Sequence, residues 1–122
     1  GCMHFSFFLQ IKLGNPKPFF GTGVNELLFR IHETKSLSAA ARDMHMSYTK
    51  AWKILHTAEL NLGYSLTEKI VGGPDGGGSS LTEEGLRFMQ RYTDFYRESI
   101  ELVDVLFHNY FPEATNETHQ NS

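Results

Sequence analysis

Three observations predict a mainly α-helical fold with a small β component for this chain of 122 residues, which is about the length of one domain. Apolar residues recur at helical spacing in four segments. A tight turn at His45 and Met46 separates the second segment from the third, and a glycine-rich run from Gly72 to Gly78 separates the third from the fourth. This order of helix, short helix, turn, longer helix, hairpin and long helix is that of a winged helix-turn-helix.

The chain begins with a predicted strand over residues 5–13. Five apolar residues alternate there with mostly polar ones, a period of two that is typical of a half-buried strand: Phe5, Phe7, Leu9, Ile11 and Leu13. The run Gly14-Asn15-Pro16 ends the strand, and the glycines and prolines that follow predict a loop over residues 17–23. A lone strand is rarely stable, so we expect this one to need a partner edge.

Two helices are predicted between Gly23 and Met44. The first runs from about Gly23 to Thr34 and carries apolar residues at helical spacing, namely Val24, Leu27, Leu28 and Ile31. The second is short, over residues 39–44, and follows Ser36 and Ser38, whose hydroxyls are favoured at helix N-termini. Its alanines favour helix and permit close helix packing.

The third helix is predicted to begin after Ser47, a favoured capping residue, and to stop at Gly63. One apolar stripe runs along it, formed by Tyr48, Ala51, Trp52, Leu55, Ala58 and Leu62. Because Trp52 shares this stripe with Leu55, we expect Trp52 to be a packing anchor in the core rather than a platform for stacking bases.

A hairpin and a long helix complete the fold. Residues 64–71 and 79–81 are predicted strands, joined by the glycine-rich run. From Thr82 onward, a capping hydroxyl, two early carboxylates and apolar residues as far as Tyr110 predict a helix over about 82–111. A helix of this length exceeds what a small domain can cover, which predicts that it pairs two copies of the chain.

We therefore expect residues 1–111 to form one winged helix-turn-helix DNA-binding domain and residues 112–122 to be a disordered tail. The formal net charge of −3 is unevenly distributed. Between Lys35 and Gly72, five basic residues face three acidic ones, whereas from Leu81 onward three arginines face eight carboxylates. A mildly basic middle suits a nucleic-acid surface, and an acidic end suits solvent or a partner.

Other classes of function are disfavoured. The six histidines are scattered without ligand spacing and there is one cysteine, so we expect no metal, no cofactor and no internal disulfide. No nucleophile lies beside a base, so we expect no enzyme. No apolar run approaches the ~20 residues of a membrane helix, and no signal-peptide pattern is present, so we expect a cytoplasmic protein.

DNA recognition is the chemistry that this layout suggests, because two helices joined by a short turn hold the second at the angle at which it enters the major groove. The helix residues that we predict to contact DNA are Ser36, Ser38, Ser47, Tyr48, Thr49, Lys50 and Lys53. The predicted contacts in the hairpin are Lys69, Gly76, Gly77 and Ser79. The alternatives are that the helix residues are merely solvated, that Tyr48 packs, and that the glycine-rich run is a loop without function.

Four segments stand in a distinctive order along the chain: Ser36–Ala41, Met46–Trp52, Gly72–Gly78 and Leu81–Gly85. Together they resemble the N-terminal DNA-binding domain of the ModE-type, molybdate-dependent transcriptional regulators, in its single-domain form. A more distant resemblance is to the LysR-type DNA-binding domain. The resemblance covers roughly residues 5–111. It implies a recognition helix over 47–62 and a homodimer that presents two such helices to a palindromic site on double-stranded DNA.

Two departures qualify this resemblance. Family members that sense molybdate do so through additional C-terminal domains, so we expect no molybdate site within this chain. The family commonly has a lysine among the wing glycines, where this sequence has Pro74 and Asp75. Phosphate would repel Asp75, so wing contact is either weaker or made through Lys69 and backbone amides. We expect a sequence-specific DNA-binding regulator acting as a homodimer; the alternative is a protein-interaction module that retains the winged-helix fold.

Overall fold

Four helices and two small antiparallel sheets make up the fold of the computed structural model, which describes residues 4–72 and 77–114. In chain order the elements are β1 (Leu13–Gly14), β2 (Pro18–Phe20), α1 (Thr22–Thr34), α2 (Leu37–Asp43), α3 (Tyr48–Leu62), β3 (Thr67–Ile70), β4 (Gly78–Leu81) and α4 (Glu83–Tyr110). The predicted fold class, mainly α-helical with a winged helix-turn-helix arrangement and a long C-terminal helix, is confirmed.

The N-terminal strand is much shorter than predicted. Only Leu13–Gly14 pairs, and its antiparallel partner is Pro18–Phe20, which lies in the predicted loop. Residues 4–12, here named the N-terminal segment, lie along α4 instead, where the hydroxyl of Tyr92 donates a hydrogen bond to the carbonyl of Ile11 at 2.7 Å. Exposure alternates residue by residue from Phe7 to Leu13, as the period of two indicates, but the less exposed side of the segment faces a helix rather than a neighbouring strand.

Side-chain caps begin three of the helices, at Ser47 and Thr82 as predicted and at Ser36 for α2, which begins at Leu37 rather than at Ala39. The hydroxyl oxygens of Ser36, Ser47 and Thr82 each accept a hydrogen bond from the amide three residues further on, at 3.0, 3.1 and 2.9 Å. Gly63 ends α3 with a φ of 83°, a left-handed conformation that glycine adopts without steric cost. These local signals fix the ends of α2 and α3 and therefore the geometry of the turn between them.

The core lies where α1, α2, α3 and the N-terminal half of α4 meet. Its largest fully buried side chains are Phe20, Leu27, Leu28, Ile31, Leu55 and Leu66. Small residues on facing helices, Ala40, Ala41, Ala51 and Ala58, let α2 and α3 approach α1 closely. An ion pair between Arg30 and Asp43, at 3.7 Å, also links α1 to the end of α2.

Leu66 is a junction between three elements. Its amide donates to a carboxylate oxygen of Glu59 on α3 at 2.7 Å, and its carbonyl accepts from the amide of Thr82, the cap of α4, at 3.0 Å. Gly85 packs directly on this junction, because a Cβ added there would lie 2.1 Å from the Leu66 carbonyl oxygen. The absence of a side chain at Gly85 therefore lets the first turn of α4 approach the hairpin and α3.

In the described part of the chain, no helix is long and apolar enough to cross a membrane.

Candidate nucleic-acid interface

A cleft of about 250 Å³ lies between the start of α2, the start of α3 and the β3–β4 hairpin, which we call the wing. We refer to it as the wing cleft. Six of the predicted DNA contacts line it, namely Ser36, Ser38, Tyr48, Lys69, Gly77 and Ser79. The fold thus brings together residues from three separate parts of the sequence.

The wing is fixed at this position by the end of α1. Lys35, which terminates α1 with a φ of 59°, accepts a hydrogen bond at its carbonyl from the amide of Ser79 at 2.9 Å. A Cβ added at Gly78 would lie 2.3 Å from the same carbonyl oxygen, so the wing backbone can come this close only with glycine there. The wing cleft is therefore held together by backbone contacts.

The outer face of α3 carries the remaining predicted helix residues. Ala51, Leu55 and Ala58 are buried, which leaves Thr49 and Lys53 on the opposite face. Lys50 is exposed as well, on the side of α3 away from the wing. The hydroxyl oxygen of Ser47 is engaged in capping α3. Thr49, Lys50 and Lys53 do not line the wing cleft.

The acidic group of α3 is turned away from this face. Glu59, the helix's single acidic residue, is 15% exposed at its side chain. Its carboxylate accepts hydrogen bonds from the amides of Leu66 and Thr67, at 2.7 and 3.3 Å. Among the described residues, no ion pair involves Lys50 or Lys53. The outer face of α3 is consequently positive and available to an anion.

Trp52 is not in the core, and the prediction that it is a packing anchor is wrong. Its side chain is 44% exposed and stacks on His56, with ring centroids 3.8 Å apart and an angle of 17° between the planes. A helix turns by about 100° per residue, so Trp52 lies well to the side of Ala51 and Leu55. This angle could have indicated from the sequence that Trp52 lies at the surface. The stacked rings of Trp52 and His56 are therefore part of the exposed face of α3.

The predicted contact at Gly76 lies outside the described residues, as do Pro74 and Asp75 and residues 115–122 of the predicted tail. The influence of Asp75 on wing contact therefore stays a prediction. Within residues 4–72 and 77–114, no group of three histidine, cysteine or acidic side chains is placed to hold a metal ion.

An apolar surface runs along α4, away from α3 and the wing. Phe95, Leu102 and Leu106 are each more than half exposed and are spaced by seven and four residues, so they share one face of the helix. The opposite side of α4 is covered by the core and by the N-terminal segment, where Phe5 packs edge-on against Phe107 with ring centroids 5.8 Å apart.

Comparison with known proteins yields a family and close sequence relatives. A family model described as "Bacterial regulatory helix-turn-helix protein, lysR family" matches residues 26–86. The DNA-binding transcriptional dual regulator ModE of Escherichia coli K12 is 34% identical over 80 residues, which are 66% of this chain and 30% of that protein. The molybdenum transport protein ModE of Herbaspirillum seropedicae is 31% identical over 77 residues, 63% of this chain and 29% of that protein. The chain thus spans less than a third of the length of these relatives.

Solved structures share the same fold. A crystal structure of a complex between CbnR_DBD and DNA has a TM-score of 0.57 at 19% identity, covering 77% of this chain and 99% of that chain. The crystal structure of CbnR, a LysR family transcriptional regulator, has a TM-score of 0.55 at 20% identity, covering 75% of this chain and 29% of that chain. With the resemblance to ModE-type and LysR-type domains confirmed, the chain belongs to the lysR family of bacterial regulatory helix-turn-helix proteins.

Proposed function

We propose that this chain binds specific DNA sequences and thereby regulates transcription, with α3 as its recognition helix. The observation that carries the proposal is the outer face of α3, where Lys50 and Lys53 are exposed. The carboxylate of Glu59 is turned away from this face and accepts hydrogen bonds from the amides of Leu66 and Thr67. Such a face suits a polyanion. The relatives add support, since the one from Escherichia coli is named a DNA-binding regulator and one structure of similar fold is a complex with DNA.

The wing cleft supplies a second set of contacts in this proposal. The oxygen of Ser36 accepts a hydrogen bond from an amide, so its hydroxyl hydrogen remains free to donate to a phosphate oxygen. The ammonium of Lys69 and the backbone of Gly77 lie in the same cleft. Phosphate contacts fix the register of a protein on DNA without reading sequence. The wing cleft would therefore position α3, and α3 would read base edges in the major groove.

We further propose that the chain acts as a homodimer paired through α4. The helix has 28 residues and is roughly 42 Å long, and Phe95, Leu102 and Leu106 leave an apolar face on it that no described element covers. A second copy placed against this face would bury it, since large exposed apolar patches mark interaction sites. A dimer that reads a palindrome would hold its two recognition helices roughly 34–36 Å apart. The proposal assigns no molybdate binding to this chain.

The test is a titration of the protein against labelled duplexes enriched from a random library, read by fluorescence anisotropy at several salt concentrations. Lys53→Gln should weaken binding by roughly tenfold if Lys53 contacts a base, and Lys50→Gln should behave similarly. The Lys50→Glu, Lys53→Glu double variant should abolish specific binding. Arg87→Gln is the matched control, because Arg87 is an exposed cation on α4 that lines neither the wing cleft nor the outer face of α3.

Two results would show that the proposal is wrong. One is that no enriched duplex binds more tightly than unrelated DNA. The other is that the double variant binds as the wild type does. A protein-interaction module that retains the winged-helix fold would then be the better account, with the exposed apolar face of α4 as its binding surface.

A further inference from the structure

A second groove lies on the other side of α3. It has a volume of about 590 Å³ and is bounded by the N-terminal segment, β2, the start of α1 and one side of α3. We call it the hairpin groove, after the β1–β2 hairpin that supplies part of its wall. The charged residues that line it are Lys12, Lys50 and Lys53, and no carboxylate lines it. This is a concentration of positive charge in a chain whose formal net charge is −3.

Lys12 is placed beside the beginning of α1. A Cβ added at Gly21, the N-cap of α1, would lie 3.4 Å from Cγ of Lys12, so the stem of the lysine passes this helix end. No side chain caps α1 and no acidic residue lies in its first turn. The N-terminus of a helix carries partial positive charge, so a lysine beside it is electrostatically unfavourable unless an anion is near.

The lysines of the groove have no neutralising neighbours in the described part of the chain. No ion pair described for residues 4–72 and 77–114 includes Lys12, Lys50 or Lys53. Between the lysines, the wall of the groove is mostly apolar and includes Phe19, Val24 and Ile54. An apolar wall lowers the local dielectric constant, which strengthens the attraction between an ammonium group and an anion.

The wing cleft and the hairpin groove flank α3 on opposite sides. Tyr48 lines the wing cleft and Lys50 lines the hairpin groove, and these two residues lie about 200° apart around the helix. The major groove is about 12 Å wide, and a helix with its side chains is about 10–12 Å across. A helix in the major groove therefore has one phosphate backbone on each side, and elements that flank it meet both strands.

We propose that the hairpin groove is a second phosphate-binding site, in which Lys12 holds the DNA backbone on the side of α3 opposite the wing. Lys50 and Lys53 line the same groove from the recognition helix, so the backbone contact of Lys12 lies next to the face of α3 that is proposed to read bases. This inference rests on the proposed function and adds the N-terminal segment to the DNA interface. It assigns a role to Lys12, for which the sequence pattern predicted only an outward-facing position on a strand.

The experiment compares Lys12→Met with Lys17→Met in the full chain, using a duplex of about 30 base pairs enriched from a random library. Methionine keeps an unbranched stem over Gly21 and removes the charge. Lys17 is an exposed lysine of the same hairpin that does not line the groove, so Lys17→Met is the matched control. Lys12→Met should reduce the slope of log affinity against log salt by about one and weaken binding roughly fivefold at 0.15 M salt. Lys17→Met should leave the slope unchanged, and Lys12→Arg should bind as the wild type does.

A neutral phosphate analogue locates the contact directly. Replacing single phosphates of the duplex by methylphosphonate should identify a position whose neutralisation weakens the wild type by roughly fivefold but does not weaken Lys12→Met further. Three results would each overturn the inference while leaving the proposed function in place. The first is an equal loss of affinity in Lys12→Met and Lys17→Met, and the second is an unchanged salt slope in Lys12→Met. The third is that the effects of Lys12→Met and of methylphosphonate on affinity are additive at every phosphate. Failure of the wild type to bind any enriched duplex would overturn both.

Discussion

Replacing Gly85 by alanine should destabilise the fold, although alanine is the better helix former by about 1 kcal/mol. The added Cβ would lie 2.1 Å from the carbonyl oxygen of Leu66 and 2.9 Å from its carbonyl carbon, which are backbone atoms that no rotamer change can move. Relieving this contact requires α4 to retreat from Leu66 by about 1 Å. Overpacking of this kind typically costs about 1–3 kcal/mol.

Two hydrogen bonds would be strained by the same movement. Thr82 donates from its amide to the Leu66 carbonyl at 3.0 Å and from its hydroxyl to the Ser65 carbonyl at 2.7 Å. Each is worth about 1 kcal/mol. The losses exceed the gain in helix propensity, and we expect Gly85→Ala to lower the free energy of unfolding by about 2 kcal/mol. Urea denaturation followed by circular dichroism measures this value, with an unchanged m-value expected.

Gly23→Ala is the matched control for this prediction. Gly23 lies in the first turn of α1, and a Cβ added there meets nothing within 4 Å. The same substitution should therefore leave the stability of the fold unchanged or raise it by up to about 1 kcal/mol. The reasoning would be refuted if Gly85→Ala were as stable as the wild type, because helix propensity would then outweigh the contact with Leu66.

Two further predictions concern α4. Burial raises the pKa of Tyr92 to about 12, with the nearby Tyr96 adding to the effect. Tyr92 therefore contributes stability that is complete below pH 10 and is lost as the pH rises toward 12. In an absorbance titration at alkaline pH, Tyr92→Phe should lack the tyrosine that ionises near pH 12. If the variant instead lacked a tyrosine that ionises near pH 10, the prediction would be contradicted. Leu102→Glu should convert a dimer present at micromolar concentration into monomers in sedimentation analysis, because it places a charge on the apolar face of α4. Leu60→Glu, at an exposed leucine of α3, should remain dimeric, and a monomeric wild type would disprove the pairing.

Local signals in the sequence predicted the helices well because each end has its own chemistry. Ser36, Ser47 and Thr82 cap the helices that follow them, and Gly63 ends α3. These contacts join residues close together in the chain, so residue type and spacing suffice to find them. The wing also followed from local pattern, although β3 over Thr67–Ile70 is shorter than the predicted strand over 64–71.

What the sequence could not predict depends on contacts between distant residues. The alternation before Leu13 indicated one buried side, but only the tertiary structure shows that this side lies on α4, where Ile11 is bonded to Tyr92, 81 residues away in sequence. Only the tertiary structure likewise shows that Lys12 lines one groove together with Lys50 and Lys53, which are distant from it in sequence. The surface position of Trp52 was accessible from its angle on the helix, since an apolar residue type does not by itself determine burial.

The junction at Leu66 would have a mechanical consequence in a dimer paired through α4. Through its amide and its carbonyl, Leu66 couples the start of α4 to α3, so the packing around this residue contributes to the angle between the two helices. The 28 residues of α4 act as a lever of roughly 42 Å, and a tilt of about 10° at its origin moves the far end by about 7 Å. That displacement equals about two base-pair steps of roughly 3.4 Å each. In a dimer paired through α4, the spacing of the two half-sites would thus depend on packing around Leu66, far from any base.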